Sequence, residues 1–175
     1  GTVHEISTAK LQRERWISVC TDASTIKLGP RGESIWVLAR EPRQLVELKL
    51  DTFEPVRSIA MPLDVEDFDL SAAAPMAVVS FGGSGEVGVA DLATGKIQRV
   101  ECGAAIGKVR FRADGRQWIA AHRDSRMLGI YDVASSRVVV RLPLAVRPDN
   151  LCFKSDGGQL FVSGEGMDAV VIVYP

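Results

Sequence analysis

Long apolar runs are missing from this 175-residue chain. None reaches the ~18 residues that a membrane-spanning helix needs, so no membrane insertion is expected. Net charge is missing as well: 21 Lys and Arg stand against 22 Asp and Glu, for a formal −1. Bulk attraction to nucleic acid or to an anionic membrane surface is thereby excluded. Cysteine is scarce, odd in number and widely spaced, at Cys20, Cys102 and Cys152. That pattern fits neither a disulfide framework nor a CxxC metal site, and the three thiols read as small buried hydrophobes.

Histidine is rarer still. His4 and His122 cannot make a three-histidine zinc site. The acidic cluster Asp64, Glu66, Asp67 and Asp69 lacks the glycine and terminal Glu of an EF-hand loop. No serine sits in a GxSxG elbow, and no Ser-His-Asp grouping can be assembled. Gly83-Ser84-Gly85-Glu86-Val87-Gly88 matches GxGxxG, but a strand and hairpin follow it, not the helix whose N-terminus a dinucleotide requires. The expectation is therefore no catalytic residue, no metal and no cofactor. A hydrophobic share of 46% and a charged share of 25% are those of an ordinary globular protein, which argues against disorder. The first residues read as a strand, not as a signal peptide, which leaves the compartment open.

What the chain does contain is a repeat. The apolar pairs Ile26/Leu28, Phe68/Leu70, Val109/Phe111 and Leu151/Phe153 recur with their second members 42, 41 and 42 residues apart. Each pair alternates with polar residues, as a short strand does. A turn follows each: Gly29 to Gly32, Ser71 to Pro75, Ala113 to Gly115, and Ser155 to Gly158. Then comes an apolar run too short for a helix, at Ile35 to Ala39, Met76 to Phe81, Trp118 to Ala121 and Leu160 to Ser163. A third strand and hairpin carry Asp91 and Asp132, again 41 residues apart, and a fourth strand closes the unit.

Four strands per 40 to 45 residues is the period of a β-propeller blade. The expected fold is all-β, with 1–175 as one array: a partial blade at 1–20, blades at about 25–62, 67–103 and 108–144, and a partial blade at 149–175. Two readings of the array are a piece of a larger ring and a self-closed four-bladed ring, and the first is preferred. A piece would expose blade faces and self-associate through them.

The stretch Arg147-Pro148-Asp149-Asn150-Leu151-Cys152-Phe153-Lys154-Ser155-Asp156-Gly157-Gly158-Gln159-Leu160-Phe161-Val162-Ser163, followed by Val171 to Val173, resembles the bacterial repeats named for Tyr-Val-Thr-Asn. Phe161-Val162-Ser163-Gly164 stands where that name motif belongs. The wider class includes seven-bladed lactonase-like propellers. The resemblance implies a ring of about seven blades and an extracytoplasmic setting, periplasmic or secreted; it does not imply one activity.

Propellers bind through the loops of one face and through their channel. The loops between second and third strands supply Arg40, Glu41, Arg123, Asp124, Arg126 and Glu165 as candidates for a polar ligand or an acidic peptide. The loop at Gly164 to Asp168 belongs to the same set. First strands carry Lys27, Asp69 and Arg110 at one position, with Asp67, Lys108 and Asn150 two residues earlier, as candidates for a charged channel. The plainer reading is that these charges neutralise one another. The leading functional expectation is a non-catalytic binding or scaffold module whose partner is a protein or a small polar ligand. The alternative is a lactonase-like hydrolase of a sugar lactone using His122, Arg123, Asp124 and Glu165 in the full propeller.

Overall fold

A computed structural model describes every residue except Ala104, Gly166, Met167, Ala169 and Pro175. The loop expected at Gly164 to Asp168 falls partly outside the described residues. Among those described, the regular structure is all strand, and the chain packs as two compact units, Gly1–Val65 and Glu66–Pro175.

The first unit starts with a two-stranded sheet of β1 (Thr2–Ser7) and β2 (Gln12–Ser18). It continues with a meander of β3 (Asp22–Leu28), β4 (Ser34–Glu41), β5 (Arg43–Lys49) and β6 (Pro55–Ala60). Val3 and Ile17 of the small sheet pack on Ile35, Val37, Val46 and Leu48 of the meander. Arg15 fastens the two by placing its guanidinium 4.2 Å over the Phe53 ring and donating to the Leu50 carbonyl at 2.8 Å. Two strands cannot cover four, and the uncovered end is the inner one. Ile26 and Leu28 on β3 are therefore 53% and 60% exposed, although the repeat makes them equivalent to the buried Phe68 and Phe111.

The second unit contains a four-stranded sheet of β7 (Val65–Leu70), β8 (Met76–Phe81), β9 (Glu86–Asp91) and β10 (Ile97–Glu101), its first residue lying at the unit boundary. A second four-stranded sheet follows: β11 (Ile106–Phe111), β12 (Gln117–His122), β13 (Met127–Asp132) and β14 (Val138–Pro143). The last sheet has three strands, β15 (Arg147–Phe153), β16 (Leu160–Glu165) and β17 (Val171–Val173). Every pairing is antiparallel between consecutive strands, so the four-strand repeat expected from the sequence is what folds.

Strand alternation sends one set of side chains to each neighbouring sheet. Val78, Val87 and Val89 meet Val109, Phe111, Trp118 and Ala120 in one core layer. Ile119, Ala121, Leu128 and Ile130 meet Leu151, Leu160 and Val162 in the next. The hairpins between third and fourth strands are held by aspartates: Asp91 accepts from the backbone of Ala93 and Thr94, and Asp132 from Ser135. Hydrogen bonding to Thr94 and Ser135 respectively holds both carboxyls below the ordinary range.

One volume rule recurs through the repeat. Gly88 on β9 admits the ring of Phe81: a Cβ at Gly88 would lie 2.8 Å from Phe81 Cζ and 3.0 Å from Ile97. At the corresponding positions the other units pair Ala39 with Val46, His122 with Gly129, and Gly164 with Val171. Large is matched with small each time, as a close-packed interior requires.

Candidate functional site

The inner-strand charges are spent on fastening sheets together. β7 and β11 are edge strands, and an edge presents unpaired N–H groups. Asp67, only 1% exposed, accepts from the Val109 N–H at 3.2 Å and from Arg110 Nη1 at 2.6 Å. Asp69 accepts from the Phe111 N–H at 2.8 Å. Ser80 Oγ accepts from the Asp67 N–H at 3.1 Å and donates to the Gly107 carbonyl at 2.6 Å. One repeat further on, Arg110 Nε donates to the Leu151 carbonyl of β15 at 3.1 Å. Carboxylates two residues apart on one strand thus satisfy donors two residues apart on the next, about one repeat along.

Of the three residues expected to line a channel, Asp69 and Arg110 are engaged in these cross-sheet bonds, and Lys27 lies on β3 in the first unit. Asp67 carries more of the electrostatics than either. Lys108 Nζ stands 3.7 Å from its Oδ1, which has no hydrogen-bond partner, while Arg110 holds Oδ2. Neutralisation of alternating charges, the plainer expectation, describes this trio.

The loop ends present a different arrangement. Arg123, at the β12–β13 turn, reaches Asp149 near the start of β15 at 2.8 Å. Its stem runs over Gly107, where a Cβ would sit 3.1 Å from Arg123 Cδ. Glu165, the last residue of β16, lies 4.0 Å from Arg147, and its backbone partner across the sheet is that same Arg147. Asp124 and Arg126 are exposed in the turn with Arg123, and Arg126 has a positive φ of 52° there. Four charged residues thus gather at one end of the β11–β14 and β15–β17 sheets: Arg123, Asp149, Arg147 and Glu165. All but Asp149 are about half-exposed or more.

In the first unit, Arg40 lies 4.0 Å from Asp22, and the Glu41 carbonyl accepts from the Thr21 N–H at 2.9 Å. Arg43 pairs with Asp64 at 3.1 Å. Asp22, Arg147 and Asp149 escaped the sequence reading, although their signal is simple. In an antiparallel first hairpin the start of strand one lies beside the end of strand two, so charges there join the loop cluster.

His122 does not join it. The imidazole is 2% exposed and its Nε2 lies 3.1 Å from Tyr131 Oη. Tyr131 in turn stacks on Trp118, with centroids 4.1 Å apart and planes 4° from parallel. The Tyr131 hydroxyl points to the Cys102 carbonyl at 3.5 Å, the outer limit of a hydrogen bond. Burial raises the Tyr131 pKa. Among the described residues, no group of three His, Cys, Asp or Glu is placed to hold a metal ion.

The three thiols are free, and they are not alike: Cys102 is buried, Cys20 half-buried and Cys152 exposed. Only Cys102 behaves as the small hydrophobe the composition suggested, and burial pushes its thiol up to about 11. At pH 8, a disulfide reagent is expected to modify Cys102 about two orders of magnitude more slowly than Cys152, because the thiolate is the nucleophile. Peptide mapping of the labelled protein checks this, and equal labelling would place Cys102 in solvent.

No family model matches this chain, and no curated protein does. By contrast, 1302 chains of solved structures match it, so the fold is widely shared and singles out no activity. One of them is Kuenenia stuttgartiensis hydrazine synthase, with a TM-score of 0.79 over 90% of this chain at 14% identity. At that identity the likeness shows the fold alone: propeller-type blades of four antiparallel strands. The match takes in 47% of the neighbour's length, so this chain spans less than half of it.

Proposed function

We propose that the chain is a non-catalytic binding module that recognises a carboxylate-bearing partner, an acidic peptide segment, at the loop ends of β12, β15 and β16. The observation behind this reading is the division of labour among the charges. Inner-strand charges are consumed in fastening sheets, whereas Arg123, Arg147 and Arg126 stand at the loop end in solvent. A guanidinium offers a carboxylate a planar fork of donors, and exchanging Asp149 or Glu165 for a ligand carboxylate keeps each arginine paired. The burial of His122 beneath Tyr131 supports binding over hydrolysis, since a general base must reach its substrate. Kinship with the Tyr-Val-Thr-Asn repeat proteins is part of the same reading and rests on the Arg147 to Ser163 stretch.

A fluorescein-labelled hexaglutamate peptide tests it. Anisotropy titration is expected to show saturable binding that weakens with added salt, as exposed ion pairs do. Arg123→Ala should weaken it by about tenfold, or about 1.4 kcal/mol. Equal binding by the wild type and by an Arg123→Ala/Arg147→Ala variant would remove the site from this end of the sheets. Turnover of a small ester or lactone that Arg123→Ala abolishes would replace binding by catalysis.

A further inference from the structure

Within Glu66–Pro175 each sheet has a front face, turned toward the next sheet in sequence. On β7–β10 it carries Val78, Val87 and Val89; on β11–β14 it carries Ile119, Leu128 and Ile130, and all six are buried. The 41- to 42-residue repeat puts Phe161, Val170 and Ile172 at the same positions of the β15–β17 sheet. There Val170 is 57% and Ile172 48% exposed. Cys152, Phe161 and Ile172 are direct cross-strand partners, so they form one uncharged row across all three strands. The exposed thiol of Cys152 lies at one end of that row.

Charge separates this face from the covered one before it. The front edge of β7 carries Asp67 and Asp69, and β11 answers with Lys108 and Arg110. On β15 the corresponding positions hold Asn150 and Cys152. Asn150, Cys152, Phe161, Ser163, Val170 and Ile172 include no ionisable pair to match and no like charges to oppose. Two such faces can meet without burying an unpaired charge, the usual barrier to self-association.

We propose that the front face of β15–β17 is a self-association surface, packing on the same face of a second copy with the Cys152–Phe161–Ile172 rows crossing near a two-fold axis. The contact continues the sheet-on-sheet packing that the chain already uses twice, at the ~10 Å spacing of stacked sheets. Being isologous, it closes at two copies.

Light scattering after size exclusion, across a concentration series, is the test. The mass is expected to rise from 18.9 kDa to twice that value. A bismaleimide spanning about 10 Å, matched to the spacing of packed sheets, should join Cys152 to Cys152, located by peptide mapping. When nine-tenths of the chain is dimeric, labelling of Cys152 should slow by about tenfold by mass action. Ile172→Glu is expected to return the protein to 18.9 kDa with an unchanged far-UV spectrum, since that side chain is already half in solvent. Asn150→Lys places like charges across the axis and should do the same. A mass of 18.9 kDa up to about millimolar concentration, far above the Kd of a specific dimer, overturns the proposal. So does any species heavier than a dimer, or a dimer that lacks the Cys152 link and survives both substitutions.

Discussion

Asp67→Ala is expected to lower the free energy of unfolding by about 3 kcal/mol, the cost of breaking a buried ion pair from one side. The carboxylate is 1% exposed and holds the Val109 N–H and the Arg110 guanidinium while Lys108 stands at 3.7 Å. Alanine fills none of those roles. It leaves a backbone donor without its acceptor and two cations, about a quarter exposed or less, without their counter-charge. Lys108 and Arg110 can turn partly toward water, which keeps the loss at the lower end of the range. Asp69→Ala removes one backbone bond at a less buried site, so a loss of about 1 kcal/mol is expected. Urea unfolding followed by far-UV circular dichroism measures both, and equal midpoints for the two variants would mean that Asp67 is no more a fastener than its neighbour.

Gly88→Val should cost about 3 kcal/mol by overpacking, because the added methyls meet Phe81 and Ile97 inside a filled core. Phe81→Ala alone should cost about 3 to 4 kcal/mol through the cavity it leaves, Phe81 being fully buried. Together the two changes reproduce a combination that the chain already uses, Ala39 with Val46. The double variant is therefore expected to lose about 2 kcal/mol less than the sum of the singles, a coupling within the range seen for touching residues. The cycle is read from urea midpoints at constant slope. Additivity within about 0.5 kcal/mol would show that the recurring match of large with small is coincidence and not packing.

Strand content, strand order and the four-strand unit were legible in the residues because they depend on local information. Alternation of apolar and polar side chains sets the strand, and Gly, Asp and Pro set the turn. Repetition at 41 to 42 residues shows that one solution is used several times. Even the aspartates of the third hairpin, Asp91 and Asp132, act within three residues of their own position. The candidate site was legible only in part. Arg123 and Glu165 were visible as loop charges, but their partners Asp149 and Arg147 lie on a different strand, brought close by hairpin pairing.

By itself, then, the sequence determined an all-β array of repeated antiparallel units with little catalytic material, since these follow from periodicity and composition. Only the tertiary structure decided what each charge and thiol does. Asp67, Asp69 and Arg110 look alike on paper as polar residues of a first strand, yet they act one repeat away, on Val109, Phe111 and Leu151. Cys102 and Cys152 are the same residue type, and one is sealed behind Tyr131 while the other faces solvent. Burial is a property of what packs above a side chain, and a linear pattern specifies the faces of a strand without specifying which of them will be covered.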